Sequence, residues 1–376
     1  MIPASTKTVH ADHRRGGRTA AVAGRLGWTE RLVAPDRRPV PGGAIAVCVG
    51  SAPERWAISY PNATLVVDLG GTHELAVRGR RWQVALEGDA LRFGNRCLRE
   101  GYVAYTELPP FAPFDTPGFE VVSSMHDDRW TTVVQSLPPR RGPALAVRGS
   151  FGHDLDGDVW GLDLPGLGSA AITDDDHVAV VMLDRTLRVV CGEWPRWEPA
   201  ELAVATLPHE PFAVTAHDDG FTVLCAIEER PPDPATRHAR LFGGSVQDQR
   251  ATWHTHVRRF SRTGALVWST QVPFAAMQPA IDLGDGRVAV VGRGVAVVGD
   301  GRVQWHRHAP RVGHAAAWCD GSLALGLGGS VLQLDGRGAT LRQLALPAGA
   351  EVTAPPAIAA DGTLLLACTT GVLLAR

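Results

Sequence analysis

The stretch Pro279-AIDLGDGRVAVVGRGVAVVGDGRVQW-His306 decides how this chain is read. It contains a small apolar run, an Asp-Gly turn, a strand-like run, a Gly-rich turn, a second such run, another Asp-Gly turn and an alternating strand. The plan returns in Ala315-AAWCDGSLALGLGGSVLQLDGRGATLRQL and again in Pro356-AIAADGTLLLACTTGVLLAR. Asp-Gly is the strongest short hairpin signal, because Gly accepts positive φ without a Cβ clash.

Moving toward the N-terminus, the same plan accounts for most of the sequence. One unit runs from Arg55 to Glu87 as RWAISYP, TLVVDLG, HELAVRG and RRWQVALEG, and a less regular one runs from Asp89 to Pro117. FEVVSSM, WTTVVQSL, ALAVRGSFG and VWGLDLP make the next, followed by SAAIT, VAVVMLD, TLRVVCGEW and ELAVATLP. Residues 210 to 273 repeat it with PFAVTAHDDG, FTVLCAIEE, WHTHVRRF and ALVWSTQVP, interrupted by an insertion over 228–252. Acidic turns separate the first two strands of each clear copy: Asp127-Asp128, Asp174 to Asp176, Asp218-Asp219-Gly220, Asp285-Gly286, Asp320-Gly321 and Asp361-Gly362. No segment carries a sustained 3.6-residue apolar period, so the chain is expected to be all-β.

A single four-stranded sheet cannot cover both of its faces, whereas stacking such sheets around an axis covers every face at once. The expectation is therefore a single β-propeller over residues 20–376, preceded by a polar, basic tail over 1–19. The count of units gives seven blades of four antiparallel strands, or eight if the 20–54 region forms a sheet of its own. The last copy ends at Arg376 after three strands. An N-terminal strand from between Ala20 and Gly50 is expected to complete it and close the ring. A pair of sandwich domains is the structural alternative, but it does not require one turn pattern in so many places.

The stretch RRFSRTGALVW, from Arg258 to Trp268, resembles the final hairpin of quinoprotein-type (PQQ-like) repeats, in which a Thr-Gly turn leads to a strand whose Trp packs between neighbouring blades. GDGRVQW, ending at Trp305, and HDLDGDVW, ending at Trp160, are similar, while DGRGATLRQL lacks the Trp. The resemblance covers the C-terminal two-thirds and implies the blade plan. The quinone-dependent dehydrogenases of that family have adjacent cysteines and calcium-binding polar residues over the cofactor. This chain has no Cys-Cys pair, so the resemblance does not extend to a bound quinone.

Composition narrows the function classes. Hydrophobic residues are 45% of the chain, enough for a large core, and 37 basic against 39 acidic side chains leave no global field for a phosphate backbone or an anionic membrane. Neither nucleic acid nor membrane is expected as a partner. The six cysteines lie far apart, several within apolar runs such as FTVLCAI and LLLACTT, where a thiol packs as a small hydrophobe. With no apolar leader-like run near Met1, the reading points to the cytoplasm.

Candidate sites are few. Asp154, Asp156 and Asp158 alternate in a way that suits calcium, yet they also align with the hairpin turn of the repeat. No other cofactor is expected. His254/His256 and His306/His308, each expected on an outer strand of a different blade, place two imidazoles on one strand face without a third zinc ligand nearby in sequence, so surface or inter-blade packing is the better account. Glu228, Glu229 and Asp174 to Asp176 have no defined partner for acid/base work. Trp194 and Trp197, in a Pro-bounded turn, are candidates for an exposed contact. The insertion carries Arg237, Arg240, Leu241 and Phe242, which combine charge with apolar anchors on the rim that also holds the connections between blades. The expected function is a non-catalytic scaffold or sensor that binds protein partners. A channel-centred hydrolase or lyase and a small-ligand or sugar sensor are the alternatives.

Overall fold

The computed structural model describes strand segments over 28–33, 46–49, 55–59, 63–68, 73–78, 84–87, 90–93, 96–99, 119–126, 129–136, 144–150 and 159–162. It further describes 167–173, 177–182, 184–191, 200–228, 253–309, 313–359 and 361–375. One strand, β1 (Trp28–Val33), precedes the series of sheets. Sheet one holds β2 (Ala46–Val49), β3 (Arg55–Ser59), β4 (Ala63–Asp68) and β5 (His73–Arg78); sheet two holds β6 (Val84–Glu87), β7 (Ala90–Phe93) and β8 (Arg96–Arg99). Sheet three holds β9 (Phe119–His126), β10 (Arg129–Ser136), β11 (Ala144–Ser150) and β12 (Val159–Leu162). Sheet four holds β13 (Leu167–Ile172), β14 (Val178–Met182), β15 (Thr186–Cys191) and β16 (Ala200–Thr206). Sheet five holds β17 (Glu210–His217), β18 (Gly220–Glu228), β19 (Trp253–Ser261) and β20 (Leu266–Val272). Sheet six holds β21 (Ile281–Gly284), β22 (Arg287–Val291), β23 (Gly294–Gly299) and β24 (Arg302–His308). Sheet seven holds β25 (Gly313–Ala317), β26 (Leu323–Leu327), β27 (Ser330–Leu334) and β28 (Thr340–Ala345). Sheet eight holds β29 (Ala357–Ile358), β30 (Leu364–Cys368) and β31 (Gly371–Ala375), with β1 antiparallel to β31 through Trp28 opposite Ala375 and Thr29 opposite Leu374.

Among the described residues the protein is all-β, and every strand pair is antiparallel. Two details differ from the sequence reading. The unit proposed over Arg55 to Glu87 is offset by one strand: β2 pairs with β3, and β6 belongs to sheet two. Its segment Gly79-Arg-Arg-Trp-Gln83 reads like a hairpin turn in the sequence but connects the last strand of sheet one to the first of sheet two. Eight sheets are described where the count of units gives seven, although the described strands of the 20–54 region, on which a count of eight depended, form no sheet of their own: β1 lies on β31 and β2 on β3.

The core lies between sheets. Leu187, Val189, Val214, Phe221, Val223 and Phe260 join sheets four and five, while Leu224, Val257, Val272, Val288, Val290 and Val298 join five and six. Leu283, Val291, Val297, Leu325 and Leu334 join six and seven; Trp318, Leu344, Leu364 and Leu366 join seven and eight. Trp56 and Ile58 of sheet one pack with Leu365, Val372 and Leu374 of sheet eight. Inner and middle strands are covered on both faces, which is why β23 and β31 are buried along their whole length and read as unbroken apolar runs. The outermost strands β20, β24 and β28 are largely exposed; β24 keeps a polar alternation, whereas β20 and β28 also expose Leu266, Val267 and Leu341.

One dipeptide serves two turn lengths. Asp285-Gly286 and Asp300-Gly301 have both residues at positive φ, with Gly284 opposite Arg287 and Gly299 opposite Arg302, as a two-residue type I′ hairpin requires. At Asp320-Gly321 and Asp361-Gly362 only the Gly is left-handed and the loop is one residue longer. There Asp320 Oδ1 accepts the Ser322 N–H and Asp361 Oδ1 accepts the Thr363 N–H, both at 2.9 Å.

Candidate functional site

Connections in an up-and-down sheet alternate between two ends, so the second-to-third turns and the links between sheets share one rim. On that rim the β14–β15 turn meets the link from β16 to β17: Leu207 N–H donates to Arg185 O at 2.7 Å, and Arg185 N–H donates to Met182 O at 3.0 Å. Glu228 and Trp253, the roots of the insertion, face each other across β18 and β19 at the same end. The insertion therefore leaves and re-enters sheet five on the same rim as that link.

Alternation along β19 sorts its side chains. Thr255, Val257 and Arg259 turn toward sheet six: Thr255 Oγ1 donates to Phe274 O at 2.9 Å and accepts the Ala276 N–H at 2.8 Å. His254, His256, Arg258 and Phe260 turn toward sheet four, where Phe260 enters the shared core. The His209 and His256 rings meet edge to face with centroids 5.3 Å apart, and the Arg258 guanidinium lies over the Phe260 ring at 5.5 Å. Burial, reinforced by Arg258 and His209, pulls His256 down to about 4, and burial together with Arg185 and Arg258 lowers His209. Both imidazoles are thus neutral at neutral pH. Cys225, opposite His256, is pushed up to about 12 by burial and is no nucleophile.

The opposite rim of sheet five holds a buried polar chain. Arg259 donates to Thr222 Oγ1 at 3.1 Å and pairs with Asp219 in the β17–β18 turn. His217 Nε2 lies 2.8 Å from Thr222 Oγ1, and its Nδ1 lies 3.3 Å from Asp282 Oδ1 on β21. One arrangement satisfies every member: Arg259 donates to Thr222, Thr222 donates to Nε2, and Nδ1–H donates to Asp282. Burial lowers the His217 pKa despite the opposing pull of Asp282, so the ring stays neutral. Arg262 Nε–H also donates to Asp218 O at 2.7 Å. The network ties a hairpin, a strand and the next sheet together, which is a structural role.

The sequence candidates fall unevenly. Asp154, Asp156, Asp158, Trp194, Trp197, Arg237, Arg240, Leu241 and Phe242 lie outside the described residues, as do Asp174 to Asp176 and Glu229. His254 and His256 stand on the third strand of their sheet rather than the outer one, and His256 is an inter-sheet residue. His306 and His308, on the outer strand β24, are exposed. Among the described residues no group of three His, Cys, Asp or Glu side chains could hold a metal. Trp268 and Trp305 do pack at the seam to the next sheet, against the turns holding Gly301 and Gly338. The buried chain around Arg259 was missed; its signal was Thr222, a polar residue between Phe221 and Val223 in an otherwise apolar strand, with His217 across the β17–β18 turn.

No family model matches the chain, and no curated protein does. Among solved structures it is similar to Hsv2 of Kluyveromyces lactis, with 7% identity, a TM-score of 0.51, and coverage of 81% of this chain and 100% of that one. The C-terminal WD40 domain of Sif2 aligns with 11% identity and a TM-score of 0.46 over 93% of this chain and 82% of that one. With the sheet order described above, the likeness to Hsv2 places the fold among β-propellers. Among the described residues no helix is long and apolar enough to cross a membrane.

Proposed function

We propose that this propeller is a non-catalytic protein-interaction platform, with its eight sheets closed as a ring by β1. The observation that carries the reading is the outer edge of sheet four. In AELAVAT, Ala203 and Ala205 turn inward against the core shared with sheet five, while Leu202 and Val204 are 44% and 52% exposed on the other face of the last strand in the sheet order. An outer strand that only needed solvation would carry polar residues there, as β24 does with Arg302, Gln304 and His306. Leu266 and Val267 on β20 and Leu341 on β28 extend the same character to other outer strands. A partner offering an extended or apolar segment fits such edges.

The rim holding the insertion is the second docking region, with Arg237, Arg240, Leu241 and Phe242 as its contacts. The unpaired, buried thiols of Cys225 and Cys368 suit a reducing compartment such as the cytoplasm. Purification of the tagged chain from its native cytosol, in parallel with a form whose residues 230–250 are replaced by a short Gly/Ser linker, tests the rim. The expected result is a stoichiometric partner that is lost or weakened with the linker. Equal recovery by both forms removes the insertion from the interface.

A further inference from the structure

Four basic side chains gather at one rim of the seam between sheets four and five: the His209 and His256 rings meet with centroids 5.3 Å apart, Arg258 shares the β19 face of His256, and the turn carrying Arg185 accepts the Leu207 N–H two residues before His209. Arg185 comes from the β14–β15 turn, His209 from the link into β17, and His256 and Arg258 from one face of β19. Nδ1 of His256 and Nε of Arg258 are buried without a hydrogen-bond partner among the described residues, and none of the described ion pairs includes Arg185 or Arg258. A buried guanidinium N–H costs free energy unless something accepts from it, and a buried imidazole nitrogen costs it in either tautomer when it has no partner.

The backbone gives an independent indication. Arg185 sits at φ 66, in the left-handed region that a residue with a Cβ enters at a cost. The corresponding turn of sheet seven uses Gly328 at φ 54. An Arg held in a place that suits Gly, exposed at the mouth of a cluster of donors, points to a role for its guanidinium. A cation does not fit, because two guanidiniums flank the imidazoles and no third metal-binding side chain joins them among the described residues. A carboxylate offers two oxygens in one plane, whereas donors arriving from separate elements suit an anion with acceptors on several sides.

We propose that Arg185, His209, His256 and Arg258 form a binding site for a phosphate-class oxyanion at the mouth of this seam. The two guanidiniums supply the charge, and the neutral imidazoles each supply one N–H. The anion is either free phosphate or a phosphorylated side chain of a protein partner. Only the second source rests on the platform reading.

The test is an NMR titration of the His209 and His256 ring protons with inorganic phosphate, repeated on Arg185→Gly, Arg258→Gln and, as a control on a distant exposed strand, Arg302→Gln. Arg185→Gly removes the guanidinium while relaxing the turn, so loss of binding in it is not loss of fold. The expected result is a saturable shift with raised His pKa values, weakened at least fivefold in R185G and R258Q and unchanged in R302Q. The absence of a saturable shift, or one of equal strength in R185G and R258Q, overturns the site. A phosphoserine peptide then separates the sources: binding at least tenfold tighter than inorganic phosphate assigns the site to a partner. Binding no tighter leaves free phosphate as the ligand, and the platform reading then stands or falls on its own test.

Discussion

The indole of Trp305 lies directly over Gly338: a Cβ added at that glycine would come within 2.7 Å of Trp305 Cε3. Trp305 Nε1–H donates to Gly336 O at 3.0 Å, so the outer strand of sheet six is pinned to the β27–β28 turn of sheet seven by packing and by a hydrogen bond. The relation repeats one sheet earlier, where Trp268 covers Gly301, and again where Ala203 covers Gly264. All three glycines have positive φ.

Gly338→Ala should therefore cost stability twice, through its φ of 83° and through contact with the ring. A loss of about 2–3 kcal/mol in denaturant unfolding is expected. In a Trp305→Ala background the same change should cost only about 1 kcal/mol, because only the backbone part remains. Strictly additive losses would show that the two residues do not share this contact.

The repeat was legible because turn and strand chemistry are local. Asp-Gly dipeptides announced the hairpins, and the placement of Trp268 and Trp305 at the seam followed from the repeat. What local chemistry could not distinguish is a hairpin turn from a link between sheets, since both are short and polar; hence the one-strand offset near Val84. The two loop lengths at Asp285-Gly286 and Asp320-Gly321 were equally invisible, being set by register. Nothing in the sequence sets Arg185 apart; its φ of 66° and the hydrogen bond its carbonyl accepts from Leu207 are set by the fold.

The polar chain of sheet five should be sensitive to its weakest exposed member. Arg259 is nearly fully buried, whereas Asp219 is 75% exposed at its side chain. Asp219→Ala leaves the guanidinium without its carboxylate and should destabilise the protein by about 1–2 kcal/mol, discounted for the solvent around Asp219. Thr222→Val removes the link between Arg259 and His217 and should cost about 1–2 kcal/mol. The double variant should lose less than the sum. Full additivity in thermal or denaturant unfolding would show two independent contacts instead of one chain.

Acidification should unfold the protein through its buried histidines. Burial holds His314 at about 4 and lowers His217, both from an ordinary value of 6.5. Their folded-state values are lowered, so the unfolded chain binds more protons below pH 6.5. The associated stability is fully present above that pH and is lost as pH falls toward 4. Each such imidazole contributes a slope of up to ~1.4 kcal/mol per pH unit in that window, with half-buried His314 below that ceiling. His314→Gln should flatten the dependence measured by denaturant unfolding between pH 6.5 and 4.5; an unchanged slope would show that this ring is charged in the folded state.

Burial holds the Cys225 and Cys368 thiols at about 12, so both should resist alkylation in the native protein at pH 8 and react on unfolding. Peptide mapping after native labelling checks this. Modification of Cys225 at the rate of a free thiol would show that the seam between sheets four and five opens.

The central claim, that exposed sheet edges serve a protein partner, is tested most directly at sheet four. The quantity to measure is the stoichiometry of the partner recovered by the native chain and by Leu202→Glu/Val204→Lys. Both changes lie on the exposed face of β16 and should leave the fold intact, as unfolding curves will show. The account predicts a near-equimolar partner with the native chain and its loss in the variant. A partner retained in full by the variant, or no partner with either form, would contradict it.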